Sequence, residues 1–403
     1  MIFNKDLMIE DDLNNLFPHI RKHLYLIQRQ KRGLLMESNK KSIRLFTLAM
    51  INVAAICNIA NLPLAAKYGT TIIFFYLLAT LFFFVPVALV SAELATGWPQ
   101  RGGVYIWVRE GLGPKMGFVA IWLQWIENVI WYPTVLSFLG ATFAYIFNPT
   151  LALNKFYIMS VVIIVFWSIT FVNFLGMQIS GWISTICSMI GQILPGTLII
   201  ILAFFWIIKG HPVHLNFSIE DFLPNLKSSN QLSLLAAILL SLAGLEMSAA
   251  HAKEVKNPQK SYPKAILFSA IIILTIMILG ALSIAIVTPS DQIQLASGSI
   301  QAFQSFFKAF DLNWALPILA LLISIGSLGQ VSTWTVGPTK GLLATANHGE
   351  LPPFLQKVNK KNMPVTILSM QAITVTLLSA VFLFMPSVTS SYQLLLTLAA
   401  QLY

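Results

Sequence analysis

The feature that most limits how this chain can fold is a series of apolar segments, each close to the length that crosses a membrane. A membrane helix needs about 20 apolar residues, and lipid offers no partner to unpaired backbone groups. Only 10% of the 403 residues are charged and the mean hydropathy is +0.76, whereas a soluble chain carries about 25% charged residues. The sequence therefore predicts an all-α polytopic membrane protein. The candidate spans are 45–66, 72–94, 118–147, 156–175, 182–208, 232–249, 265–287, 314–336, 365–385 and an incomplete 392–403.

The distribution of positive charge predicts the orientation of these spans. When the connections are assigned alternately to the two faces, 20 of the 25 Lys and Arg residues fall on the side of the N terminus. Positive residues are retained in the cytoplasm, so we expect a cytoplasmic tail over residues 1–44 and a membrane domain over 45–403. The predicted location is the plasma membrane, which is the inner membrane in a bacterium. This asymmetry accounts for the net charge of +10 without a nucleic acid partner.

The cysteine content argues against a disulfide framework, a metal site or a cofactor. The two cysteines, Cys57 and Cys187, fall in different predicted spans, and isolated cysteines do not form a zinc site. No nucleophile and base fall at one membrane depth, so the sequence does not predict an enzyme.

A carboxylate interrupts the sixth span. The apolar run continues to Ala243-Gly244-Leu245-Glu246, which places Glu246 well inside the segment. Ionisable groups in a span usually face a cavity or a partner, and a neighbouring glycine favours local unwinding that frees backbone groups. The alternative is a seam of small residues with a glutamate that reaches an interface. We favour the functional interpretation.

The first span is interrupted as well. It contains the amides Asn52, Asn58 and Asn61 and also Pro63, and proline disrupts a helix interior. The amides either line a binding site or bond to neighbouring helices. The candidate substrate-binding residues of the two interrupted spans are Asn52, Ala55, Ile56, Cys57, Asn58, Ala243, Gly244, Leu245 and Glu246.

The positions of the two interrupted spans predict an inverted repeat. Each opens a run of five spans, and because five is odd the second run starts on the opposite face. We expect the first repeat over 45–208 and the second over 232–403. The last segment has 12 residues, a helix of about 18 Å, which is too short to cross a core of about 30 Å. We therefore expect helix 10 to be incomplete.

Three further features concern the third span and the connections. Glu127 is a second acidic group inside an apolar stretch; it either holds a proton or forms a buried structural pair. Gly102 and Gly103 allow a tight turn ahead of a short interfacial helix that contains Tyr105. The segment 291–308 predicts an amphipathic surface helix, and 337–355 predicts a loop with helical pieces.

Three blocks of sequence resemble the amino acid–polyamine–organocation transporter superfamily, most closely its glutamate:γ-aminobutyrate antiporter group. The blocks are the run 99–108 with Gly102, Gly103 and Tyr105, the run 244–265 with Glu254 and Pro258, and the run 332–341. The resemblance implies a LeuT-type fold of five plus five inverted helices with helices 1 and 6 broken, and amino acid exchange or proton-coupled uptake. It also implies a gating or structural role for those loop residues. The first span departs from the family because 56–61 contains no glycine.

These observations support a hypothesis of alternating access. The carboxylate of an amino acid would meet backbone N–H groups near residues 55–58, and its ammonium group would meet carbonyls or the carboxylate near 243–246, as half-helix dipoles favour. Glu246 and Glu127 would carry the coupled proton, since burial without a cation favours the neutral carboxyl. The alternatives are an amino acid sensor or channel that does not translocate substrate, and an inert truncated product.

Overall fold

The computed structural model describes residues 44–98, 103–176, 186–187, 189–215, 219–224, 229–246, 255 and 257–403. The chain is helical through most of these ranges, and seven helices are long and apolar enough to cross a membrane. The prediction of an all-α polytopic membrane protein is confirmed. In chain order the helices are α1 (Leu45–Ile56), α2 (Leu62–Ala66), α3 (Thr71–Gly97), α4 (Val104–Leu112), α5 (Pro114–Ala144), α6 (Lys155–Phe174), α7 (Met189–Ile208), α8 (Ser229–Ser241), α9 (Pro258–Val287), α10 (Gly298–Ala309), α11 (Leu316–Asn347), α12 (Val365–Phe384) and α13 (Val388–Leu402).

Helix α5 runs through the centre of the bundle. It packs most extensively against α11, followed by α13 and α4, and its second half is buried, with Tyr132 and Phe138 fully inaccessible. Lipid tails are as apolar as these side chains, so membrane helices associate through close packing and hydrogen bonds rather than through the hydrophobic effect. This central position carries Glu127 to the middle of the bundle.

The backbones of α7 and α11 touch at two glycines. A Cβ atom added to Gly191 would lie 2.4 Å from the Cα atom of Gly326, which leaves no room for a side chain at either position. Helix α7 begins with a π-helical turn, Met189–Ile193, just ahead of Pro195. The turn and the glycine contact together hold Gln192, which is fully buried, on the inner side of the helix.

Helix α11 is longer than the sequence predicted. The eighth span was expected to end at 336 and to be followed by a loop with helical pieces, but one continuous helix reaches Asn347 with Pro338 inside it. The predicted end at 336 was wrong. A proline removes only its own N–H donor, and surrounding contacts can compensate for this loss in a buried membrane helix. The buried hydroxyls of Thr335, Thr339 and Thr345 each bond to a carbonyl one turn earlier.

Within the described residues, short α-helices lie between spans at α4, at Ile219–Phe222 and at α10, and the first and last of these were predicted. Helix α4 follows Gly103, whose positive φ of 51° turns the chain into the helix. Helix α10 falls within the predicted amphipathic segment, and Phe303, Phe306 and Phe307 are buried beneath it. Both helices therefore present one apolar face to the bundle.

The last helix is shorter than a full span, as the sequence predicted. It begins four residues before the expected start, at Val388, because the Ser387 side chain accepts a hydrogen bond from the Ser390 backbone N–H. Its 15 residues correspond to about 22 Å of helix. Tyr392, Leu395 and Leu396 on its inner face are buried.

Candidate functional site

The first span is broken near its middle. Helix α1 ends at Ile56, Cys57 and Asn58 have extended backbones, and a single 3-10 turn leads into α2. The side-chain oxygen of Asn58 accepts a hydrogen bond from the backbone N–H of Ala60 at 2.9 Å, and Pro63 lies in the first turn of α2. A side-chain cap and an early proline are both start signals for a helix, so the sequence here starts a second helix instead of continuing the first.

Helix α11 binds a carbonyl group in the last turn of α1. The indole N–H of Trp334 donates to the Ala55 carbonyl at 2.8 Å, and the side-chain amide of Gln330 donates to the same oxygen at 3.3 Å. The carbonyls of the last turn of a helix have no partner within that helix. The break in α1 is thus stabilised by two donors that lie 275 and 279 residues away in the chain.

Three other helices bind the backbone beyond the break. The N–H of Ile59 donates to Gln192 on α7 at 2.9 Å, and the Ile59 carbonyl accepts from Ser299 on α10 at 2.8 Å. The Ala60 carbonyl accepts from the Tyr392 hydroxyl on α13 at 2.9 Å. Buried backbone groups without partners are costly in a membrane, so these bonds stabilise the unwound segment.

The sixth span is broken after Ser241. Gly244 has a φ of +119°, which disfavours any residue with a side chain. A Cβ atom at this position would lie 2.6 Å from the Trp334 ring and 3.4 Å from the Ile56 side chain. The two breaks therefore meet at Trp334. Its ring packs against Gly244 in the second break, and its N–H bonds to the Ala55 carbonyl at the first break. The residues after Glu246, 247–254, lie outside the described part of the chain.

Two buried carboxyl groups lie beside the breaks. Glu127 accepts a hydrogen bond from the Asn128 side chain at 2.7 Å, and one oxygen of Glu246 accepts from Gln124 at 3.4 Å. The other oxygen of Glu246 is also buried, and the Tyr403 hydroxyl lies beside this carboxyl group. The two carboxyls are close enough to interact electrostatically, and within the described ranges no basic side chain forms an ion pair with either.

A cavity lies between the two breaks and α5. It comprises about 410 Å³ of empty space when its open side is included. Six of the residues singled out from the sequence line it, namely Ala55, Ile56, Asn58, Asn61, Ala243 and Glu127. The remaining lining residues are Asn128, Trp131, Ala237, Leu240, Ser241, Gln330, Trp334 and Leu396.

The other predicted substrate-binding residues lie around this cavity but do not line it. Asn52 points to α9, where its amide donates to Ser269 at 3.4 Å, and Cys57 is fully buried. Gly244 packs against Trp334, and Leu245 is buried. Glu246 reaches Gln124, one helical turn before Asn128 on α5.

The predicted gating residues that the structure describes lie apart from the cavity. Tyr105 on α4 is fully buried, and this burial, together with the nearby Glu350 carboxylate, raises the pKa of Tyr105 to about 12. The Nε atom of Arg109, on the same helix, lies 4.0 Å from the Oε1 atom of Glu350, a residue just beyond the end of α11. Pro258 begins α9, whereas Gly102 and Glu254 fall outside the described residues.

Sequence reasoning did not assign Gln192, Ser241, Gln330 or Trp334 to the site. The available signal was the density of small and hydroxyl residues between 324 and 334, which marks a helix face packed against protein. That signal identifies the face of α11 but not its partners, because the partners are distant in sequence.

Comparison with known proteins gives a consistent result. Residues 43–403 match the family described as amino acid permease. An uncharacterized transporter of Legionella pneumophila is 46% identical over 91% of this chain and 79% of its own length. A glutamate/gamma-aminobutyrate antiporter of Lactococcus lactis is 33% identical over 86% of this chain and 70% of its own length.

Two solved transporters share the fold. MhsT in complex with L-phenylalanine superimposes with a TM-score of 0.60 at 12% identity, over 88% of this chain and 87% of that one. Mhp1, a nucleobase-cation-symport-1 family transporter, superimposes with a TM-score of 0.57 at 13% identity, over 89% of this chain and 75% of that one. The LeuT-type arrangement with helices 1 and 6 broken, expected from the sequence resemblance, is confirmed.

Proposed function

Because the chain belongs to the amino acid permease family of membrane transporters, we propose that it is a secondary active transporter that moves an amino acid across the membrane by alternating access. The observation that carries the proposal is that both helix breaks border one cavity beside two buried carboxyls. Broken helices around a midplane cavity are the usual substrate site of such transporters.

The substrate is proposed to bind between the two breaks. Its carboxylate faces the Asn58 side-chain amide, whose nitrogen is buried without a partner and lies at the start of a helical segment. Its ammonium group faces the C-terminal end of α8 near Ser241 and Ala243, with Glu127 across the cavity. The positive end of one half-helix and the negative end of the other favour this orientation.

Glutamate and γ-aminobutyrate are the substrates to test first, because a 33% identical relative is named as their antiporter. The protein would be purified, reconstituted in liposomes and loaded with unlabelled amino acid. A transporter loaded in this way accelerates the entry of labelled substrate. Binding of the label without accelerated entry would contradict transport and would favour the sensor alternative.

The coupled ion is proposed to be a proton held by Glu127 or Glu246. Two interacting buried carboxyls without a cation are costly when both are charged, so at least one carries a proton while the cavity is empty. An arriving ammonium group favours the charged carboxylate and releases this proton. Proton release and substrate binding would therefore be coupled in each transport cycle.

Substitution of the two carboxyls tests this coupling. Glu246→Gln and Glu127→Gln each fix one site in a neutral form, so we expect the pH dependence of uptake to flatten in at least one of them. The measurement is initial uptake rate in liposomes between pH 5 and 8, about the range in which coupled carboxyls titrate when shifted. Glu93→Gln changes an exposed carboxyl on α3 and serves as the control. Unchanged pH profiles in both cavity variants would contradict the assignment.

The orientation and the repeats remain proposals as well. We propose that residues 1–44 are a cytoplasmic tail in a plasma membrane protein, and that 45–208 and 232–403 are the two repeats. The excess of Lys and Arg on the N-terminal side supports this orientation. Protease cleavage of an N-terminal tag in sealed, right-side-out vesicles would contradict it.

A further inference from the structure

A short hairpin lies between α11 and α12, at one end of the bundle. It comprises residues 358–364, and an antiparallel bridge joins Val358 to Pro364 at its base. The backbone N–H of Asn359 donates to the Met363 carbonyl at 3.1 Å. The chain therefore turns back on itself immediately before α12 begins.

The hairpin is fixed to the rest of the bundle. The side-chain oxygen of Asn359 accepts hydrogen bonds from the backbone N–H groups of Lys361 and Met363, at 2.9 and 3.1 Å. The side-chain nitrogen of Asn359 donates to the carbonyl of Phe174, the last residue of α6, at 2.8 Å. Met363 is fully buried and belongs to an apolar cluster with residues of α11 and α12. A ligand of the hairpin therefore meets a fixed backbone and does not have to order a loop.

Three exposed lysines lie on or beside the hairpin, namely Lys357, Lys360 and Lys361. Among the residues that the structure describes, none of the three forms an ion pair with an acidic side chain. The sequence has no Asp or Glu between 351 and 403, and it has none in 177–185, a segment of the connection after α6 that lies outside the described part of the chain. The neighbouring segments therefore offer no counter-ion to these three positive charges.

Exposed apolar side chains lie beside the hairpin on the two spans that it contacts. Phe171 and Leu175 are at the end of α6, and Met370 and Ile373 are near the start of α12; these four residues are exposed by 41% to 58%. Helices α6 and α12 pack against each other, and both are long and apolar enough to cross a membrane. The exposed apolar side chains of such spans face lipid acyl chains. Positive charge at the end of the spans and apolar surface along them match the headgroup and the acyl chains of an anionic phospholipid.

We infer that this hairpin, with Lys357, Lys360 and Lys361, binds the headgroup of an anionic phospholipid whose acyl chains lie along α6 and α12. Each lysine near an anionic membrane surface contributes roughly fivefold to binding. In the orientation proposed above, the hairpin is on the cytoplasmic face, where anionic lipids attract basic segments. The inference is independent of the proposed transport function, because it requires only that the chain spans a membrane.

Stabilisation by added lipid tests the inference. The purified protein in a nonionic detergent is titrated with phosphatidylglycerol, and its apparent melting temperature is measured at each lipid concentration, because a ligand of the folded state raises this temperature. Phosphatidylcholine serves as the lipid without net charge, and inorganic phosphate serves as the free anion. We expect phosphatidylglycerol to stabilise the protein more than either control. About 1 M sodium chloride should weaken this effect, because charges are then screened beyond about 3 Å.

A pair of double variants separates the hairpin from the charge of the protein as a whole. Lys360→Gln with Lys361→Gln removes two charges of the hairpin, and we expect the phosphatidylglycerol concentration at half of the full stabilisation to rise at least about tenfold. The control is Lys260→Gln with Lys264→Gln, which removes two exposed lysines from the start of α9 and should leave this concentration unchanged. If the hairpin double variant does not yield folded protein, Lys357→Gln tests the same site, with an expected rise of roughly fivefold.

Each outcome either supports or overturns the lipid site. A higher half-maximal concentration in the hairpin variant but not in the α9 control supports it. An unchanged concentration in the hairpin variant overturns it, and so does an equal rise in both double variants, which would reflect total surface charge. Equal stabilisation of the wild type by phosphatidylcholine, or by inorganic phosphate, also overturns it, because the hairpin would then not select an anionic lipid.

Discussion

The two helix breaks that border the cavity differ in how the protein holds them. Around the first break, the carbonyls of Ala55, Ile59 and Ala60 and the N–H of Ile59 all bond to side chains from α7, α10, α11 and α13. Around the second, the chain turns at Gly244 in a left-handed conformation, and Glu246 accepts a hydrogen bond from Gln124 and lies beside the Tyr403 hydroxyl. Side chains from four helices bond to the backbone at the first break, whereas Gly244 at the second break packs against Trp334 and Ile56.

This difference indicates a division of roles. A segment whose backbone is held by several hydrogen bonds changes shape only if these bonds break together, and each buried group left unpaired costs about 1–3 kcal/mol. The second break has fewer such bonds within the described residues, so it can rearrange at a lower cost when a substrate or a proton arrives. We therefore expect the first break to set the geometry of the site and the second to respond.

Among the substitutions that test this difference between the two breaks, the one at Gly244 should have the largest effect, a loss of uptake. Gly244→Ala adds a Cβ atom 2.6 Å from the Trp334 ring and forces an alanine into a φ of +119°. The backbone alone costs about 1–3 kcal/mol, and either Trp334 or the second break must move. We expect uptake to fall at least about tenfold, measured as initial rate in liposomes.

The control for this prediction is Gly97→Ala at the end of α3. A Cβ atom there meets nothing within 4 Å and the φ is not positive, so uptake should be normal. Normal uptake by Gly244→Ala would contradict a tight contact between the second break and Trp334.

An intermediate effect is expected at Gln192, which bonds to the first break. Gln192→Leu leaves the Ile59 N–H buried without an acceptor, so the protein should lose about 1–3 kcal/mol of stability. Gln192→Glu keeps an acceptor oxygen and should retain more of the stability. The measurement is the apparent melting temperature of the purified proteins in detergent. Equal melting temperatures for wild type and Gln192→Leu would show that the first break does not depend on α7.

The smallest effect is expected at Tyr392. Tyr392→Phe removes one hydroxyl that donates to the Ala60 carbonyl and preserves the packing of the ring. A carbonyl tolerates the loss of one donor better than an N–H tolerates the loss of its acceptor. We therefore expect the variant to lose about 0.5–1.5 kcal/mol of stability. The same melting assay measures it, and a loss greater than that of Gln192→Leu would reverse the proposed order of importance.

The sequence predicted what depends on local composition. Asn58 and Pro63 identified the first break, and Gly244 beside Glu246 identified the second, because caps, prolines and glycines act on their own segment. Phe303, Phe306 and Phe307 likewise identified the surface helix α10. The continuous helix through Pro338 was not predicted, because the effect of a proline depends on the burial of the surrounding helix.

The partners of the first break could not be predicted in the same way. Gln192, Ser299 and Tyr392 bond to residues 133, 240 and 332 positions away. A single glutamine, serine or tyrosine in an apolar segment is compatible with many neighbours, and only the packing of whole helices selects one.

Helix α10 connects the protein surface to the first break within two adjacent residues. Gly298 packs against Pro63, where a Cβ atom would lie 2.7 Å away, and Ser299 bonds to the Ile59 carbonyl, while Lys308 and Gln304 on the same helix are exposed. A nanobody that binds this exposed side of α10 would restrain the first span without entering the cavity. Such a nanobody would stabilise a single conformation, and an inhibitor directed at α10 would not have to compete with the substrate.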